Sequence, residues 1–328
     1  MKPSDLKTLL IKAIANRLSV LITGAPGTGK SDVVAQAAAE AGADLIVSHP
    51  VVSDPTDFKG LPGIVDGQAE FLPFGDLRRL TEANRPTVAF LDDLGQAPPV
   101  VQAAAMQLIL ARQVNGHKVS DEVTFIAATN RRQDRAGVSG ILEPVKSRFT
   151  TIIELEPDLD DWCTWAFAHN VPAELIGFLR FRPNFLHDFQ PTADIKNSPC
   201  PRTVTNAGRL VALGVTDLEA LSGAAGEGFA TEFLAFLRIY RSLPSPDAVL
   251  MNPETADVPT DPATLYALCG ALAGKASEQT AERLLTYAGR LPTEFNVLLT
   301  RDAVRREPAM AQTPAFAKWA SLNSDVLV

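Results

Sequence analysis

The sequence predicts an α/β protein, with a parallel sheet wrapped by helices in the first half of the chain and helices alone in the second. Three observations carry this. Short apolar runs at Leu18–Ile22, Asp44–Val47, Thr87–Leu91, Glu122–Ala128 and Phe149–Leu155 alternate with helix-like patterns, the signature of βα units. The first run leads straight into Gly24–Ser31, GAPGTGKS, and then into an Ala- and Val-rich stretch over Asp32–Glu40. After Pro157 the strand signals stop.

The octapeptide is a complete G-x-x-x-x-G-K-S phosphate-binding loop in strand–loop–helix context. Gly24, Gly27 and Gly29 let consecutive backbone N–H groups turn inward toward phosphate oxygens. Ala25, Pro26 and Thr28 complete the loop. The helix that follows presents the positive end of its dipole. Lys30 is expected to reach β- and γ-phosphates, and the Ser31 hydroxyl to hold Mg²⁺. ATP and Mg²⁺ are therefore the expected ligands.

Before the loop, a helix is expected over Asp5–Asn16, capped by Ser4, with Leu6, Leu10 and Ile14 on one face. After the second strand, Pro50–Asp76 is crowded with Pro, Gly and Asp, long for a connection and read as an irregular functional loop. Its apolar residues fit neither a strand face nor a helix stripe. Phe58 and Lys59, beside Gly60, are expected at its exposed tip, with Phe71 and Phe74 anchoring it to the sheet. A helix over Leu77–Ala83 follows. The strand Thr87–Leu91 ends in Asp92–Asp93, a Walker B pattern, in which the first acid holds Mg²⁺ and the second orients and deprotonates the attacking water. Pro98–Arg112 reads as helix, and Asn115–Gly116 as the turn of a hairpin over Gln113–Val119. The fourth strand ends in Thr129–Asn130, beside the Walker B tip in a parallel sheet, followed by a basic loop with Arg131, Arg132 and Arg135. Beyond the fifth strand, helices are expected over 159–169, 172–180, 203–213, 216–224, 228–241, 262–274, 277–289 and 293–306, with the Pro-rich stretch 243–262 as a linker.

Composition narrows the class. At 328 residues and a net charge of −8, broad electrostatic attraction to nucleic acid is disfavoured. Cys163, Cys200 and Cys269 are far apart and show neither metal-ligand spacing nor a disulfide framework, which fits a reducing cytoplasm. The amino terminus does not read as a signal peptide, and no run approaches a membrane span.

Taken together, GAPGTGKS, FLDDLGQAPPVVQAAAMQLILARQV, FIAATN, ILEPVKSRF and PRTVTNAGRL resemble the AAA+ ATPases, and within them the MoxR-like branch with CbbQ- and NorQ-type proteins. The resemblance covers roughly residues 6–213. It implies an AAA+ P-loop NTPase core with a five-stranded parallel sheet over 1–156 and a helical lid over 157–243; the helical segments over 244–328 read as a C-terminal extension that matches no part of the family. By resemblance, Asn130 is similar to sensor 1, Arg148 to the arginine finger acting on a neighbouring subunit's nucleotide, and Arg202 to sensor 2. Asp54–Gly75 resembles the helix-2 insert and Gln113–Val119 the presensor-1 hairpin. One residue departs: the second Walker B acid of the family is usually Glu, and here it is Asp93, one methylene shorter. The implied activity is ATP hydrolysis by a homo-oligomeric ring, a hexamer, that remodels a protein client, such as one with a von Willebrand factor A domain. Two other readings stand beside it: a DNA-directed motor subunit, and a slow nucleotide switch or scaffold.

Overall fold

The computed structural model describes residues 1–134, 140–192 and 194–324. Two compact units emerge, Met1–Asp158 with Gln190–Asp194, and Leu159–Phe189 with Ile195–Val328.

Among the described residues of the first unit nine strands follow in chain order: β1 Val20–Gly24, β2 Asp44–Ser48, β3 Leu61–Val65, β4 Gln68–Leu72, β5 Thr87–Leu91, β6 Gln113–Val114, β7 His117–Lys118, β8 Val123–Asn130 and β9 Thr151–Glu154. Five of them form one parallel sheet in the order β2-β5-β8-β1-β9. The two central strands β5 and β8 are buried almost throughout, as expected where both faces of a parallel sheet are covered. Alternation sorts their side chains. Val88, Phe90 and Ile126 join Leu6, Leu10, Val33 and Val34 from helices Pro3–Ala15 and Lys30–Glu40 on one face. Ala89, Leu91 and Phe125 join Leu77, Leu80, Leu108 and Phe58 on the other. This is the expected α/β architecture, with the loop at the carboxyl ends of the strands, where open α/β sheets bind their ligands.

Several expectations change. The first helix begins at Pro3, whose fixed φ suits the first helical position, and Ser4 lies inside it rather than capping it. The stretch 50–76 is not irregular. Asp54 caps a short helix, Pro55–Lys59, through a capping box with Asp57, and β3 and β4 form an antiparallel hairpin turning at Asp66–Gly67. The apolar spacing was unreadable because a one-turn helix and a two-strand ribbon share the segment, each too short to show its own period. The anchors are also exchanged. Phe58 is 6% exposed and packs into the core under the sheet, while Phe71 is 41% exposed on the ribbon.

The second unit is helical among its described residues. Helices Leu159–Ala168, Ala173–Phe181, Pro201–Ala212, Leu218–Ala225 and Glu227–Ser242 enclose a core of Trp162, Leu175, Phe178, Phe229 and Phe233. Helices Pro262–Ala273, Ala281–Ala288, Thr293–Arg306 and Pro314–Leu322 enclose another around Leu268, Tyr287 and Leu299. The expected linker contains a helix, Pro246–Met251, with Val249 and Leu250 buried in that second core. Gly177 and Gly270 allow helices Ala173–Phe181 and Pro262–Ala273 to touch, since a Cβ on Gly270 would stand 3.2 Å from the Ala173 carbonyl oxygen. Arg180 crosses between helices to Asp302 at 2.8 Å. The three cysteines are unpaired and buried, and burial pushes the Cys163 thiol up to about 12, so it stays protonated. No helix among the described residues is long and apolar enough to cross a membrane.

Candidate nucleotide site

Three strand ends build the site. β1 and β8 are paired so that Gly24 stands opposite Asn130, and β5 lies on the far side of β8. The sequence-predicted residues of the loop, Asp92, Asp93 and Asn130 therefore meet at one edge of the sheet.

The loop geometry fits a polyphosphate. Gly27 and Gly29 have φ of 73° and 93°, left-handed backbone that turns the intervening amides inward. Gly24 has a different requirement: a Cβ there would lie 2.8 Å from the Leu155 carbonyl oxygen. Gly29 caps helix Lys30–Glu40, and no side chain caps its first-turn N–H groups. Those donors and the helix dipole make a ready seat for an anion. Thr28 folds back, its hydroxyl donating to the Ala25 carbonyl at 3.0 Å.

Lys30 is 7% exposed. Its ammonium donates to the carbonyls of Gly24 at 3.1 Å and Ala25 at 2.9 Å, and to Asn130 Oδ1 at 2.7 Å. These bonds hold the ammonium beside the loop, where it can meet phosphate charge. Ser31 Oγ donates to Asp92 Oδ2 at 2.7 Å, and the other Asp92 oxygen accepts from the Asp93 amide at 3.0 Å. This hydroxyl–carboxylate pair, two hard oxygens side by side, is the donor set that suits Mg²⁺. Asp92 is itself fixed by its own amide, which donates to the Ser48 carbonyl at 2.9 Å.

Asp93 sits in a left-handed conformation, φ 56° and ψ 33°, rare for a residue with a side chain. Its Oδ1 accepts from Asn130 Nδ2 at 3.3 Å and from Gln96 Nε2 at 2.6 Å. Asn130 thus bridges the loop lysine to the second Walker B acid. Gln96 escaped sequence reasoning, although its place three residues after Asp93, on the single turn Leu94–Gln96, was the available signal. Its Oε1 is buried without a partner among the described residues.

Not every candidate joins this cluster. Arg148 lies before β9, at the opposite end of the sheet. Its carbonyl accepts from the hydroxyl of Ser19, the residue preceding β1, whereas the loop follows the far end of that strand. Five residues at about 3.3 Å each separate the two, roughly 16 Å, beyond the reach of an arginine side chain. Its guanidinium donates to Ser147 Oγ, while Nε is buried with no partner among the described residues. Arg202 belongs to the second unit, exposed in the first turn of helix Pro201–Ala212. Of the basic loop, Arg131 is engaged in a fork with both oxygens of Asp134, at 2.8 and 2.9 Å, and with Glu154 at 3.0 Å. These bonds, Asp134 first, hold it firmly protonated. Arg135 lies outside the described residues.

Residues 20–157 match the family model described as AAA, ATPase family associated with various cellular activities. Among solved structures, single-residue variants of RuvB from Thermotoga maritima align over 82% of this chain and 80% of theirs. One does so at 18% identity and a TM-score of 0.44, another at 16% and 0.45. NtrX from Brucella abortus aligns over 65% of this chain and 51% of its own, at 14% identity and a TM-score of 0.42. No curated protein matches the chain. The chain carries an AAA ATPase domain; it binds nucleotide and hydrolyses ATP.

Proposed function

We propose that this protein is a ring-forming AAA+ ATPase of the MoxR-like kind that remodels a protein client. In this reading Lys30 and the loop amides hold the phosphates, and Ser31 and Asp92 hold Mg²⁺. The ion, when bound, screens the charge that builds on the phosphoryl oxygens. Asp93, steadied by Asn130 and Gln96, accepts the proton of the attacking water. Arg148 serves a neighbouring protomer, and Arg202 acts from a lid within 157–243, followed by the extension 244–328. The ring is a homo-hexamer, and the client is a separate chain such as one carrying a von Willebrand factor A domain. Unpaired, buried cysteines fit work in the cytoplasm.

The observation that carries the client reading is a pair of hairpins tied together. His117 of the β6–β7 hairpin hydrogen-bonds the Phe71 carbonyl of the β3–β4 ribbon, and Asn115 Nδ2 donates to the Lys59 carbonyl at 2.8 Å. The ribbon presents Ile64, 82% exposed, together with Pro62, Ala69 and Phe71 on one side. Exposed apolar surface braced by a second element suits a protein partner. The ribbon's charged residues are Asp66 and Glu70, with no lysine or arginine, which is poorly matched to phosphate backbones.

The test compares ATP turnover of the purified chain alone, with duplex or branched DNA, and with a candidate protein partner. The reading expects stimulation by protein, lost in the Ile64→Ser/Phe71→Ser double variant while basal turnover persists. Stimulation by DNA that survives the double variant would replace it with the DNA-motor reading. Nucleotide binding without turnover under any condition would favour the switch.

A further inference from the structure

A cavity lies on the sheet face opposite helix Lys30–Glu40, apart from the nucleotide loop. It has a volume of about 360 Å³, at the small end of the range of ligand pockets, room for one ring system rather than a nucleotide. Its walls are Phe58, Leu77, Leu80, Leu91, Leu108 and Phe125, all buried. Val47 and Val52, both exposed, also line it, so the cavity opens to solvent. The mouth carries Ser48, His49, Ser53, Asp57 and Asp76, so two carboxylates face one histidine, and none of the lining residues is a lysine or arginine.

We propose that this cavity binds a small organic cation: an apolar ring or branched chain bearing a protonated amine. The apolar floor accepts the body by the hydrophobic effect, and the acidic mouth selects the charge. The acids retain capacity for a ligand. Asp57 Oδ2 accepts from the Asp54 amide at 2.9 Å. Asp76 accepts from Ser48 Oγ at 2.7 Å and from Arg79 at 3.2 Å, and a carboxylate offers about four acceptor sites. Arg79 is exposed and paired at the rim, so it offsets part of one charge and leaves the mouth net acidic. An anion of the same shape is repelled, and a neutral analogue loses the charge-assisted bond.

The position gives occupancy a consequence. Phe58 stands on helix Pro55–Lys59, which leads into the ribbon, and Phe74 and Gly75, just beyond the ribbon, also line the cavity, so a ligand there lies against both segments that flank the ribbon. Ser48 and Leu91 line the same cavity, and the Ser48 carbonyl holds the Asp92 amide at 2.9 Å. One small molecule would therefore bear on both the insert and the Walker B tip. The inference stands whether or not the client reading does.

The test is calorimetric titration of the full chain with 2-phenylethylamine, 2-phenylethanol and phenylacetate at neutral pH. The amine is expected to bind at least about tenfold more tightly than the alcohol, a difference of about 1.4 kcal/mol, with no binding of the acid. A saturating non-hydrolysable ATP analogue should not displace the amine, because the cavity is separate from the loop; a change in amine affinity short of displacement is the coupling through Ser48 and Asp92. Ala105→Phe fills the cavity from helix Pro99–Ala111 and should abolish binding. Should that variant fail to fold, Asp57→Asn/Asp76→Asn is expected to erase the preference for amine over alcohol. Equal affinity for amine and alcohol, displacement by the ATP analogue, an undiminished preference in the double Asn variant, or undiminished binding to folded Ala105→Phe would each overturn the proposal.

Discussion

At the scale of single residues, the site is a chain of hydrogen bonds: Lys30 to Asn130, Asn130 to Asp93, Gln96 to Asp93. Each link has a different expected consequence. Lys30→Ala removes the one loop ammonium and leaves the Gly24 and Ala25 carbonyls without their donor. ATP turnover is expected to fall by about 10²–10³-fold or more, as read by phosphate release, and wild-type turnover in that variant would refute the assignment of the loop. Gln96→Ala leaves the loop intact and frees Asp93 to turn. Turnover should drop by roughly ten- to a hundredfold, the cost of a misplaced reacting group, while affinity for a fluorescent ATP analogue stays near wild type. Equal losses in affinity and turnover would mean that Gln96 supports the fold of the site rather than its chemistry. The contrast between these residues marks what a sequence discloses. Lys30, Ser31, Asp92 and Asp93 were legible because phosphate chemistry demands those groups at those offsets. Gln96 was not, because a glutamine one turn beyond a strand has many uses, and only the three-dimensional approach to Asp93 selects this one.

At the scale of elements, the central strands announce themselves because both faces are buried and Val88–Leu91 is an unbroken apolar run. The segment 50–76 does not, since its helix and each strand of its ribbon are only five residues long and no period repeats within them. Burial then decides which aromatic residue supports the fold. Phe58→Ala opens a hole among Leu77, Leu80 and Leu91 and should cost about 3–5 kcal/mol. Phe71→Ala, on the exposed ribbon, should stay within about 0.5–1 kcal/mol of wild type. Urea titration of the two variants checks this, and an equal or reversed order would show that the ribbon is packed against something in the native protein. The β6–β7 hairpin was readable for the opposite reason: Asn115 and Gly116 adopt φ of 48° and 87°, the positive pair that a two-residue hairpin turn requires and that Asn-Gly supplies at low cost.

At the scale of the whole molecule, the decisive fact is that one catalytic candidate cannot serve its own chain. Arg148 is fixed to the start of β1 through Ser19, and the loop lies past the end of the same strand. No side-chain rotation closes that gap, and a register shift would unpair β9 from β1. Under the proposed function Arg148 acts on a second copy, and copies that serve one another head to tail close into a ring or extend without limit. Arg148→Ala should then keep near-normal nucleotide affinity and lose turnover by about 10³-fold. Lys30→Ala subunits have a dead loop and an intact arginine; Arg148→Ala subunits have the reverse. Mixed in equal amounts, they form some interfaces in which an intact loop faces an intact arginine, and turnover should rise well above either parent, with a maximum near equal proportions. Light scattering with an ATP analogue should show the same mixtures as closed assemblies, and a hexamer is the expected size. If the mixture is as inactive as its parts while the assemblies form, Arg148 is a residue of the fold: its Ser147 contact and its position at the entry to β9 would be its whole role, and another cation would have to stabilise the transferring phosphoryl group.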